Sequence, residues 1–195
     1  MKKNALYAFG FAALLTGMTS CSNTPTKNDD GVDSAKKMNS EMTNSQPAAA
    51  TPSKDDADFA VMAANAGMTE IELSKVALAK SSNADVKKYA QMIVDEHTAA
   101  AAKLTSIATS KQISLPSSLS DASKKDVDDL SGKKAKDIDK AYVDKMVSDH
   151  KDAVDAFKKE SENSTDADLK AFATETLPTL QKHLDDAQAM KSSMK

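Results

Sequence analysis

Tyr89 to Leu104 reads YAQMIVDEHTAAAAKL, and Tyr142 to Phe157 reads YVDKMVSDHKDAVDAF. Laid over each other without a gap, both place a Tyr eight residues before a His, a Val three before it and an acid immediately before it. Ile93 and Met146 stand four residues before the His, Ala101 and Val154 four after, and Leu104 and Phe157 seven after. These offsets are neighbours on one face of an α-helix. His97 and His150 therefore each lie on the apolar stripe of an amphipathic helix.

Working outward, the same period predicts four long helices, at about 56–80, 84–111, 135–162 and 166–193. The breaks at 81–83 and 163–165 are short enough for tight hairpin turns, with Thr165 or Asp166 capping the last helix. Pro178 lies inside that helix, removes one backbone donor and predicts a kink. Residues 112–133 differ in kind: they hold Pro116, a Ser-rich run and a short helix at about 121–130, and read as a long crossover. Hairpin, long crossover, hairpin is the connectivity of a ferritin-like four-helix bundle. The expected fold is all-α, with the bundle domain at 55–195.

The segment before the bundle reads differently. Residues 1–20 carry Lys2 and Lys3, an apolar run from Ala5 to Leu15 and then small residues, the pattern of a secretory signal peptide. Met18-Thr19-Ser20-Cys21 resembles the bacterial lipobox, whose Cys is lipidated and anchors the mature chain to a membrane. By resemblance to the common sorting rule of such proteins, Ser22 rather than Asp after the Cys implies the outer membrane and a domain facing the periplasm. Residues 21–54 are rich in Ser, Asn, Thr, Pro, Lys, Asp and Ala, lack apolar periodicity, and are expected to form a flexible tether.

Composition narrows the function classes. All 26 basic residues are Lys, and Arg and Trp are absent. Nucleic-acid readers depend on Arg forks and aromatic platforms, so no nucleic-acid partner is expected. Cys21 is the single cysteine, which excludes a disulfide within one chain and a Cys-based zinc cluster. There is no Ser-His-Asp order, glycine-rich phosphate loop or HExxH motif, so catalysis other than through a metal has no visible machinery.

The three histidines, His97, His150 and His183, fall on the stripes of three different bundle helices. The remaining helix carries Glu70 where an apolar residue is expected, and a buried carboxylate needs a partner. At 1.5 Å per residue, Glu70 and His97 stand roughly 18 and 22 Å from the first hairpin turn. His150 and His183 stand roughly 22 and 27 Å from the second. If both turns share one end of the bundle, the four residues meet in one layer. Three imidazoles and a carboxylate could hold one divalent transition metal, zinc, iron or copper. Glu72, Asp95, Glu96, Asp149 and Glu175, with Tyr89 and Tyr142, are candidates for the surrounding hydrogen-bond shell. Val94, Val147 and Leu180 stand three residues before the histidines, so the Glu-x-x-His signature of a di-iron centre is missing. Two other readings stay open: a metal-free polar layer that sets helix register in a structural or envelope-stress interaction module, and a metal-dependent oxidoreductase.

The runs EIELSKVALAKSSNADVKKYAQMIVDEH, AYVDKMVSDH and LKAFATETLPTLQKHL, with Leu115-Pro116 between the first two, resemble the bacterial domain-of-unknown-function 4142 family. The resemblance covers about 56–192, and its hallmarks fall on Glu70, Glu72, His97, Tyr142, His150, Pro178 and His183. It implies a ferritin-like bundle in a secreted protein or lipoprotein, and no particular activity.

Overall fold

The computed structural model describes residues 30–45 and 52–194, which form six helices and, among the described residues, no strand. The bundle is made by α2 (Lys54–Lys80), α3 (Ala84–Ser110), α5 (Ala135–Asn163) and α6 (Ala167–Ser193); α1 (Gly31–Ser45) and α4 (Asp121–Ser131) pack outside it. The residues of the signal peptide and of Cys21 lie outside the described residues. None of the described helices is long and apolar enough to cross a membrane.

Local chemistry fixes where the helices begin. Ser53 accepts the Asp56 amide at the start of α2, Asn83 those of Asp85 and Val86 at α3, and Asp166 those of Asp168 and Leu169 at α6. At the end of α3 the Ile113 amide bonds Ala108 O and the Gln112 amide bonds Thr109 O, with Gln112 at φ 58°. That is a Schellman ending built on a non-glycine residue. α6 runs unbroken through Pro178.

The two hairpin turns lie at opposite ends of the bundle. Ser164 and Thr165 donate to Asp56 at the start of α2, whereas Lys80 at its far end donates to Ser131 just before α5. Lys111, at the end of α3, pairs with Asp166 and Asp168 beside the second turn. The crossover therefore travels the full bundle length, as ferritin-like connectivity demands. The condition considered for a shared polar layer, both turns at one end, is not met. Helices of 27 to 29 residues are about 40 Å long. Residues roughly 20 Å from either end meet at mid-height whichever way the turns face.

The core divides at that height. One apolar cluster, with Phe59, Leu104, Phe157, Leu169 and Phe172, fills the end near the second turn. Another, with Leu73, Ile93, Ile138, Tyr142 and Met146, fills the end near the first. Glu70 and the three histidines lie between them, each buried.

The expected flexible tether at 21–54 is overturned over Gly31–Ser45, which is helical and docked. Asp30 caps α1 through the Asp33 amide and also meets the Asp121 amide of α4. Asn39 donates to Ser114 O at 3.0 Å and accepts from Ser114 N at 2.7 Å. A Cβ on Gly31 would stand 2.6 Å from the Ser118 carbonyl oxygen, so only glycine permits this approach. The docking is mostly polar: Ala35 and Asn39 are the buried side chains, and a search for an apolar stripe passes over such a helix.

Candidate metal centre

Each imidazole is held from outside by an acceptor. His97 Nδ1 lies 3.0 Å from Glu70 Oε2, His150 Nδ1 lies 3.0 Å from the Met146 carbonyl oxygen, and His183 Nε2 lies 2.9 Å from Glu96 Oε2. A carbonyl or carboxylate oxygen can only accept, so each of these nitrogens carries the proton. The tautomers that follow leave bare lone pairs on His97 Nε2, His150 Nε2 and His183 Nδ1.

Two of these nitrogens face each other. His150 Nε2 and His183 Nδ1 stand 3.3 Å apart, and His97 Nε2 is buried without a hydrogen-bond partner. One ring nitrogen from each residue lies within 4.8 Å of those of the others. Two nitrogens held about 2.05 Å from a tetrahedral ion stand about 3.3 Å apart. The His150–His183 pair already has that spacing.

Burial keeps His150 and His183 neutral. It pushes the His183 imidazole down to about 4, against the upward pull of Glu96, and it lowers His150 although Glu70 pulls the other way. Burial alone would raise the Glu70 carboxyl, but the imidazoles of His150 and His97 outweigh it and hold Glu70 below the ordinary carboxylate range. Two neutral imidazoles beside an ionised carboxylate are in the state that binds a divalent cation.

Residues 41–190 match the family model described as "Domain of unknown function (DUF4142)". The chain belongs to that family. Among curated proteins nothing matches. The fold is shared with a solved structure described as "Crystal structure of DUF305 fragment from Deinococcus radiodurans", at 13% identity and a TM-score of 0.64 over 73% of this chain and 99% of that one.

In this DUF4142 chain the four seam residues expected to form a layer do so, with a division of labour. The three histidines supply the converging nitrogens, and Glu70 stands behind His97 as the carboxylate that orients it. Of the surrounding candidates, Glu96 bonds a histidine ring directly. Tyr89 donates to the His183 main-chain carbonyl at 3.0 Å, and Tyr142 exchanges a 2.7 Å hydrogen bond with Ser74, so neither phenol reaches an imidazole nitrogen through these bonds. Asp149 pairs with Lys145, and burial raises it to about 6.

Glu72, Asp95 and Glu175 do not belong to the shell: they pair with Lys75, Gln91 and Lys103 on the outer surface. The reason is angular. Glu72 and Asp95 sit two residues from Glu70 and His97, about 200° round the helix, and Glu175 is more than two turns from His183. Sequence reading also missed Ser74, one turn beyond Glu70, and the Met146 carbonyl. The same four-residue spacing that predicted Met146 on the stripe could have supplied that acceptor.

A cavity of about 350 Å³ adjoins the centre. His97, His183, Glu70 and Glu96 close one end, while Ala63, Ala64, Gly67, Ala100, Ala101, Leu104, Phe157 and Phe172 line the rest. Its walls are the short side chains of AANAG on α2 and TAAAAK on α3.

Proposed function

We propose that this protein binds one divalent transition metal through His97 Nε2, His150 Nε2 and His183 Nδ1, with Glu70 and Glu96 orienting two of the rings. The observation that carries this reading is the 3.3 Å approach of His150 Nε2 and His183 Nδ1, two nitrogens whose protons are directed elsewhere. Lone pairs facing each other at that distance repel unless a cation lies between them. Neutral imidazole donors suit zinc, copper or iron rather than magnesium or calcium. Three protein ligands leave a fourth position open, which supports a sensing, carrying or metal-dependent redox role over a closed structural site.

The same reading sets the protein in the cell envelope, lipid-anchored through Cys21 with its domain facing the periplasm. The lipobox-like MTSC supports this. Radiolabelled palmitate incorporation that is lost in Cys21→Ala tests it.

A second reading rests on the same contact: a proton in place of an ion would join His150 and His183 and leave a polar layer that sets helix register. Elemental analysis separates the two, on protein purified without a polyhistidine tag or chelator, beside a His97→Ala/His150→Ala variant. Metal at near one equivalent in the wild type alone supports the metal site. Absence of metal after reconstitution with zinc, copper and iron supports the register layer.

A further inference from the structure

The cavity next to the histidines is larger than an ion needs. At about 350 Å³ it falls within the range of small-molecule sites. From His97 to Leu104 it follows α3 for about 10 Å. Its ionisable groups gather at the histidine end, and its far end holds the aromatic pair Phe157 and Phe172. His97 and His183 line it whereas His150 does not, so the open side of the trio faces into the cavity. No lysine lines it, and Glu70 and Glu96 already balance the charge of a divalent ion. An added anion has nothing left to neutralise.

We infer that this cavity binds an amphipathic small molecule, its hydrocarbon tail between α2 and α3 and a neutral nitrogen or oxygen donor at the ion's open position. The head assignment rests on the metal reading above; the tail site stands on the cavity alone.

The test is a titration of the full chain, zinc-loaded and metal-free, with 1-alkylimidazoles from methyl to hexyl. These carry one neutral donor and do not chelate. Each methylene buried should tighten binding about fourfold until the cavity is full, in both forms of the protein. Zinc should tighten every member of the series by a common factor. Ala101→Leu should flatten the chain-length dependence while zinc is retained, and Ala100→Leu repeats the test should the first variant misfold. Affinity independent of chain length in both forms overturns the inference, whether or not zinc binds. Chain-length dependence without any effect of zinc leaves the tail site standing and overturns the head assignment.

Discussion

His150 Nε2 and His183 Nδ1 face each other at 3.3 Å while the opposite nitrogens of both rings are tied to the Met146 carbonyl and to Glu96. Everything proposed for the centre follows from that arrangement. Its cost falls on the metal-free protein, which buries two opposed lone pairs. Replacing both rings together, as in His150→Leu/His183→Leu, should therefore leave the metal-free melting temperature unchanged or higher, as when a whole buried polar cluster is replaced by apolar groups. The same change should abolish the rise in melting temperature that zinc gives the wild type. Thermal unfolding of both proteins with and without zinc checks it.

Glu70 fixes the His97 ring. Glu70→Gln keeps the shape but replaces the ionised acceptor, and it should weaken metal binding about 10- to 100-fold while the helix content stays the same. Competition against a chromogenic chelator reads that change.

The pH dependence has a definite sign. His183 stays neutral in the fold down to about 4, whereas an unfolded histidine takes up its proton near 6.5. Between those values the unfolded chain binds more protons, so this contribution to the stability of the metal-free fold is complete above about pH 6.5 and is lost as pH falls through about 4. Urea midpoints between pH 7 and pH 4 should fall for the wild type and fall less for His183→Phe.

Glu160 works in the opposite sense at the second turn. Burial, with Asp56 adding to it, raises its carboxyl to about 7 from 4.5. The folded chain holds that proton more tightly, so the contribution is present below pH 4.5 and is lost as pH rises through about 7. Glu160→Gln should raise the melting temperature at pH 8 and change it little at pH 4.

The α1 helix is tied to the crossover through Asn39. Asn39→Ala removes both bonds to Ser114, worth about 1 to 2 kcal/mol together, and should speed amide exchange within Gly31–Ser45 by about tenfold. Exchange in α3 and α5 should not change. Hydrogen–deuterium mass spectrometry resolves these segments.

The bundle was legible because its four long helices announce themselves by apolar stripes, and the last also by Asp166 at its start. Glu70 and the three histidines were legible because they interrupt those stripes. What lay beyond the sequence was direction in the third dimension. Glu96 and Asp95 are adjacent acids on one helix, yet only Glu96 reaches across to His183, and Asp95 turns to Gln91. The docked α1 escaped because backbone groups of the crossover, rather than an apolar face, hold it. The cavity escaped because alanines on a stripe read as close packing, although here their shortness leaves space.

The central claim concerns particular atoms, and imidazole 15N NMR of the zinc-loaded protein addresses them directly. The account predicts zinc-bound Nε2 in His97 and His150 and zinc-bound Nδ1 in His183, with protons on the three opposite nitrogens. Spectra that do not change on adding zinc, or a proton shared between His150 and His183 in its presence, would contradict it.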